Sequence, residues 1–249
     1  MRCPFCISDP GLQSMTPELL SDALDLVARR GFTEVVLGGG EPCEWPWDWR
    51  NAAREAKSRG FLVQLGTNGR LLGRNFACFD AVDRYVLPLD GASGESHNRM
   101  RAGGAPDDSG NGGHHALIWR RLEQLRRAGR EVTVSTVLTA DNVEEVPGIG
   151  GQLGDYAAAG GRLHAWHLYR FLPMGRGGGK NAQRLALAHG AYEAAVAMAR
   201  RTAPGLRIYK RPDMRHSATV DFFWRQDGKI IAGSEAWADE VPQPLADEA

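Results

Sequence analysis

Short apolar runs alternate with helix-forming segments along most of this chain, and glycine and polar residues gather just after the apolar runs. That alternation constrains the fold most, because strands separated by helical segments pair in parallel through helical crossovers. Thr16-Pro17 opens a helix in which Leu20, Leu24 and Val27 recur at helical spacing, and Gly31 closes it. Thr33–Leu37 reads as a buried strand, Trp49–Ser58 as a helix, and Phe61–Leu65 and Asp83–Leu89 as further strands. A helix is expected over His114–Ala128 and a strand over Val132–Leu138. Gly148–Gly161 reads as helical only in places, weakened by glycine, Leu163–Leu172 as a strand, and Ala182–Arg201 as one long helix. Arg207–Tyr209, Thr219–Trp224 and Lys229–Ile231 are expected as short strands, with Asp227-Gly228 as a hairpin turn. Ala102–Gly113 is expected to be a loop or lid, and the residues from Pro242 a loose tail.

About five of these strands lie between Thr33 and Leu172. Gly38-Gly39-Gly40, Thr67-Asn68-Gly69, Asp90-Gly91, Ser135-Thr136 and Arg170 fall at or near strand ends. In parallel α/β folds the carboxyl edge of the sheet is where ligands bind, so one site assembled from several strand ends is expected.

The 249 residues suit one barrel-type domain with a small extension, and 43% hydrophobic with 24% charged residues supports a buried core. Formal net charge is zero, so no global attraction to nucleic acid or an acidic membrane follows. No apolar run approaches the roughly 20 residues that span a bilayer, and no signal-peptide plan opens the chain. A cytoplasmic location is expected, where cysteines serve metal binding or catalysis more often than disulfides. Four are present: Cys3, Cys6, Cys43 and Cys78. Cys3-Pro4-Phe5-Cys6 fits a soft-metal centre, a redox dithiol, or two half-exposed cysteines at a terminus. Cys43 and Cys78 are expected as small buried apolar residues.

Cys3-Pro4-Phe5-Cys6 together with Gly38-Gly39-Gly40-Glu41-Pro42 resembles the radical S-adenosylmethionine (SAM) enzymes. Thr67-Asn68-Gly69, Leu89-Asp90-Gly91 and Glu95–Arg101 extend the resemblance to the subgroup of the molybdenum-cofactor cyclase and peptide-modifying relatives, over about residues 1–175. The resemblance implies a partial (β/α)6 TIM-type barrel over 1–175, with a small α+β C-terminal extension over 176–249. It implies a 4Fe–4S cluster held by Cys3, Cys6 and a further cysteine four residues before Cys3, upstream of Met1. The first barrel strand would lie upstream too; a chain that begins short of both is expected, and a lost ligand is the alternative.

The resemblance also implies the chemistry. The reduced cluster passes one electron to the SAM sulfonium, SAM is cleaved, and hydrogen is abstracted from a small anionic substrate such as a nucleotide or peptide. Flavodoxin or ferredoxin would supply the electron. The basic C-terminal segment and the small size are similar to viperin-like nucleotide dehydratases, while no cysteine after Cys78 is left for an auxiliary cluster.

Several residues carry the implied cofactor contacts. Gly38, Gly39, Gly40 and Pro42 form the turn that lets backbone approach SAM, and Glu41 either meets the SAM ammonium or braces the turn. Phe5 is similar to an aromatic near adenine, or is a hydrophobic staple. Asn68 belongs to the second strand end. Ser135 resembles a ribose or carboxylate contact, or is a satisfied strand serine. Asp90 accepts from SAM or substrate, or caps the next helix. Pro88 stands where the related cyclase has a SAM-binding serine. Arg170 and Arg176 can grip a phosphate or carboxylate, or form surface salt bridges. Lys210, Arg211, Arg215 and His216 make a second basic cluster, either an anion site or a solvated face. Trp45, Trp47 and Trp49 pack on the barrel rim or present a partner surface. Two readings compete with the enzyme: a radical SAM scaffold without chemistry, and a zinc or redox CxxC protein.

Overall fold

A computed structural model describes residues 1, 3–8, 12–101 and 113–240. The expected loop over Ala102–Gly113 and the tail from Pro242 fall outside these, apart from Gly113.

Helix α1 (Pro17–Arg29) starts as expected, with the Thr16 hydroxyl accepting from Leu19 N–H at 3.3 Å. Strand β1 (Glu34–Leu37) runs into the glycine turn, and α2 (Trp49–Ser58) follows with Asp48 as its N-cap. Then come β2 (Leu62–Gly66), β3 (Arg84–Pro88), α3 (Gly94–Arg101), α4 (Gly113–Arg127) and β4 (Glu131–Leu138). The second half holds α5 (Val146–Ala158), β5 (Arg162–Arg170), the four-residue helices α6 (Gly175–Gly178) and α7 (Ala182–Leu185), α8 (Ala191–Thr202) and β6 (Ile208–Arg211). A hairpin of β7 (Phe223–Gln226) and β8 (Lys229–Ala232) leads into α9 (Gly233–Ala236).

Among the described residues, β1 to β6 form one parallel sheet in strict sequential order. It curls into a half-barrel with the helices outside. Alternation along the strands sorts the side chains. Val63, Leu65, Leu87, Val132, Val134, Trp166 and Leu168 are buried against the helical layer. Their neighbours Gln64, Thr133, Ser135, His167 and Tyr169 face the concave side. Burial of the apolar row drives closure, at roughly 2 kcal/mol for each large side chain.

Four expectations are corrected. The sheet does not end at residue 175: Ile208–Arg211, assigned to the extension, pairs in parallel with Trp166–Tyr169. The long helix expected over Ala182–Arg201 is two helices, because Ala186 adopts an extended conformation between them. Gly148–Gly161 lies largely in the continuous helix α5, since burying Val146, Ile149, Leu153 and Tyr156 on one face outweighs about 1 kcal/mol per interior glycine. Cys78 is exposed rather than in the core. The Trp-rich loop packs on the rim: the Trp45 indole donates to Met15 O at 2.7 Å and its ring lies 5.3 Å from Trp47, while Trp49 is buried.

Candidate functional site

The two cysteines sit on a tight turn closed by Cys6 N–H donating to Cys3 O at 3.2 Å. Phe5, between them, is buried with Met100, Phe171 and Leu185, so it acts as the staple that anchors this turn. From the far end of the sheet the glycine-rich segment after β5 grips the same turn. Arg176 N–H donates to Ser8 O (3.1 Å), Gly177 and Gly178 N–H to Cys6 O (3.0 and 3.3 Å), and Asn181 Nδ2 to Pro4 O (3.1 Å). Gly177 is required there: a Cβ on it would lie 2.4 Å from Cys3 O and 2.8 Å from Cys6 N. The Arg176 guanidinium also donates to Met1 O at 3.0 Å, so this arginine clasps the cysteine turn instead of standing free for an anion.

The two thiols differ. Burial pushes Cys3 up, opposed by the Arg101 guanidinium 4.0 Å from its sulfur. Burial also raises Cys6, but bonds from Ser8 and Arg176 outweigh it and leave that thiol below its ordinary value.

At the glycine turn Gly39 has φ +101°, a conformation that L side chains rarely adopt, and a Cβ on Gly39 or Gly40 would meet no protein atom within 4 Å. The turn therefore presents bare backbone to open space. Glu41 braces it: its carboxylate accepts from Thr67 Oγ1 (2.5 Å), Asn68 N–H (2.7 Å) and Cys43 N–H (3.2 Å). Pro42 starts the short 3-10 turn that follows. Burial and the Glu41 carboxylate push the Cys43 thiol up to about 12, which makes it a poor thiolate donor. The cysteine turn and the glycine turn touch directly, through Ser8 Oγ donating to Gly39 O at 3.1 Å.

A polar chain ties the remaining strand ends to these two turns. Asp90 is fully buried; its carboxylate is paired with Arg101 and accepts from Val137 N–H at 2.8 Å. It therefore holds Arg101, whose guanidinium lies 4.9 Å over the Phe5 ring, and the helix-capping role belongs to Ser93, which accepts from Ser96 N–H at 3.1 Å. Asp90 N–H donates to His97 Nδ1 at 3.0 Å. Since that backbone group can only donate, His97 Nε2 carries the proton and donates to His114 Nδ1 at 2.8 Å. His114 Nε2 then donates to Asn68 O at 2.8 Å. The imidazole pair thus links the third strand end to Asn68, whose N–H holds Glu41.

Ser135 is half-buried on the concave face, between Pro88 and His167 in the strand register. Arg170 is the one expected site residue that the sheet turns away. It shares the parity of Trp166 and Leu168, which places it on the helical side at the end of the strand. Of the second basic cluster, Lys210 pairs with Glu193 (2.5 Å), and Arg215 with Asp213 (2.7 Å) and Glu240 (2.6 Å).

Ser8, His97, Arg101, His114, Gly177 and Asn181 were missed as site residues. The Gly175–Gly179 run was a visible signal, but nothing local says that it meets residues 3–8. At the opposite, amino-terminal edge of the sheet a cavity of about 240 Å³ is lined by Asp83, Gly129, Arg130, Glu131 and Arg162. Its acids are committed, Asp83 to Lys57 (2.6 Å) and Glu131 to Arg84 (2.7 Å), as suits a stabilising face.

The donors present fit the last two thiolates of an iron–sulfur site: two cysteines on one turn, one with a lowered thiol, beside two guanidinium groups. Among the described residues no group of three or more His, Cys, Asp or Glu side chains is placed to hold a metal ion.

An "AdoMet-dependent heme synthase" of Oleidesulfovibrio alaskensis is 27% identical over 190 residues, 74% of this chain and 45% of that protein. An "S-adenosylmethionine-dependent nucleotide dehydratase" of Flammeovirga pacifica is 22% identical over 188 residues, 70% of this chain and 59% of that protein. The chain spans about half the length of the curated heme synthases that it matches. In fold it is similar to Streptococcus suis SuiB bound to S-adenosylmethionine, with a TM-score of 0.63 and 13% identity over 87% of this chain and 45% of that one. It is also similar to HydG, a maturase of the [FeFe]-hydrogenase, with a TM-score of 0.58 and 13% identity over 79% and 45% of the two chains. The family model described as the radical SAM superfamily matches residues 1–149, more than half of the sequence, and on that match, together with the joined cysteine and glycine turns, the chain belongs to the radical SAM superfamily.

Proposed function

We propose that this chain is the catalytic barrel of an enzyme that cleaves SAM reductively and abstracts hydrogen from a small anionic substrate. Cys3 and Cys6 would supply two of the thiolates that hold a 4Fe–4S cluster, and Gly38–Gly40 with Glu41 would carry the backbone that SAM lies against. The observation that carries this reading is the Ser8–Gly39 bond of 3.1 Å, which supports a common ligand space for the two turns. When bound, such a cluster supplies the single low-potential electron that splits SAM into methionine and a hydrogen-abstracting fragment.

The protein's own part is to bind, orient and shield. Arg101 and Arg176 place two positive charges beside the thiols, which favours the thiolate form needed for ligation. Thr67 and Asn68 hold Glu41, so the glycine turn keeps one shape as ligand enters. Phe5, Phe171 and Leu185 keep water from one side of the cysteine turn. Ser135 stands on the concave face, where it would reach bound SAM or substrate. The electron donor would be a flavodoxin or ferredoxin. No described helix is long and apolar enough to cross a membrane.

Anaerobic reconstitution with iron and sulfide tests the reading. A brown protein that releases 5′-deoxyadenosine from SAM under reduction is expected. A colourless, zinc-loaded protein would support the CxxC alternative, and an iron-loaded protein that binds SAM without cleaving it would support the scaffold without chemistry.

A further inference from the structure

We propose that the concave faces of β5 and β6 form a binding site for the anionic oxygens of the substrate, a carboxylate or a phosphate, with Arg211 as the charged contact and His167, Tyr169 and Tyr209 as its walls. The inference rests on the radical SAM reading above and names the substrate chemistry for it.

Register places the four side chains together. Tyr209 is paired with His167 and Arg211 with Tyr169, and all four have the parity opposite to buried Trp166 and Leu168. Contacts agree with that placement. The His167 ring meets Tyr209 edge-on at 5.1 Å, His167 Nδ1 is 3.4 Å from Tyr169 Oη, and the Arg211 guanidinium lies 5.1 Å from the Tyr209 ring centre. The same register sets His167 beside Ser135 and Tyr169 beside Val137. The cluster therefore adjoins the concave residue closest in character to a cofactor contact.

Charge balance singles out Arg211. Of its neighbours in the basic segment Lys210 is compensated by Glu193 and Arg215 by Asp213 and Glu240, while His216, outside the strand, also has a buried Nε2 without a partner. Arg211 forms no ion pair among the described residues, and its Nε–H is buried with no hydrogen-bond partner. A buried guanidinium donor without an acceptor is costly and is normally satisfied. The planar fork is suited to a carboxylate or phosphate, which would take the open donor. Burial, reinforced by Arg211, pushes His167 down to about 3, so the imidazole is neutral at ordinary pH and leaves Arg211 as the cluster's formal charge. Thr133, one pleat from Ser135 on the same face, also has a buried hydroxyl without a partner. A substrate held by its anionic group at Arg211 would extend along this face toward Ser135.

The test is calorimetric titration of the reconstituted protein with inorganic phosphate and, separately, with succinate, each in the presence of SAM. At least one probe is expected to bind the parent protein. Its dissociation constant should rise tenfold or more in Arg211→Met, by an intermediate factor in Arg211→Lys, and less than twofold in Lys210→Met. Which probe binds distinguishes a phosphate from a carboxylate substrate. Arg211→Lys keeps the comparison open if Arg211→Met unfolds. Failure of both probes to bind, or equal affinity in parent and Arg211 variants, overturns the proposal. SAM titrated alone separates the two readings: SAM binding without anion binding sinks this inference, and anion binding without SAM binding sinks the enzyme reading.

Discussion

Ser8 Oγ donates to the carbonyl of Gly39 across 31 residues of sequence, at 3.1 Å. This bond joins the turn that carries the thiols to the turn that presents bare backbone. It is exposed, so Ser8→Ala should cost only about 1 kcal/mol of stability. The larger effect is expected on SAM affinity, which should weaken several-fold while the melting temperature moves little. Calorimetry on the reconstituted protein measures both, and unchanged affinity would remove the bond from the site.

Gly177 is in contact with the cysteine turn, while Gly179, two residues on, has open space where a Cβ would go. Gly177→Ala should force the Cys3–Cys6 backbone to move and reduce iron retained after reconstitution by more than half. Gly179→Ala should retain iron at the parent level. Iron analysis beside far-ultraviolet circular dichroism tests this, and equal iron in both variants would mean that the close packing does not govern the metal site.

Arg101 and Asp90 form a buried ion pair, with side-chain exposures of 14% and 0%. Removing one partner strands the other charge, so Arg101→Met should destabilise the fold by about 3–5 kcal/mol. Asp90→Asn in the same background should recover part of that loss. Urea denaturation of the two single variants and the double variant gives the coupling, and additive effects would contradict a direct pair.

His97 is pushed down to about 2 by burial, with the neighbouring His114 and Arg101 adding to it. A histidine depressed below its unfolded value near 6.5 binds fewer protons when folded. Its contribution to stability is therefore complete above pH about 6.5 and is lost progressively as pH falls from there toward 2. His167, at about 3, acts in the same sense. Unfolding free energy should fall by about 1.4 kcal/mol per pH unit for each imidazole once the pH is well below 6.5. His97→Gln should remove one imidazole's share of that slope. An unchanged slope in chemical denaturation between pH 7 and 5 would rule out a buried neutral His97.

The barrel was legible because its signals are local. Val132–Leu138 is rich in β-branched residues, Thr16-Pro17 caps a helix, and both elements appear at those places. β6 was harder: Ile208–Arg211 is a strand of four residues, and only its partner β5 assigns it to the main sheet. Arg170 and Arg211 show the same limit on the site. Arg170 reads as a basic residue at a strand end and Arg211 as one of a basic cluster, yet parity against Trp166 turns Arg170 to the helices, and pairing with Tyr169 turns Arg211 to the concave face.

What residue order determined by itself was chemistry at fixed short spacing: two thiols two residues apart, three glycines before Glu41, and apolar runs that must bury. Tertiary structure alone decided which of these meet. Ser8 reaches Gly39, Gly177 reaches Cys6, and His114 reaches Asn68 across 31, 171 and 46 residues of chain. The physical reason is that a hydrogen bond needs about 3 Å of separation, and only the curl of the sheet brings distant strand ends that close.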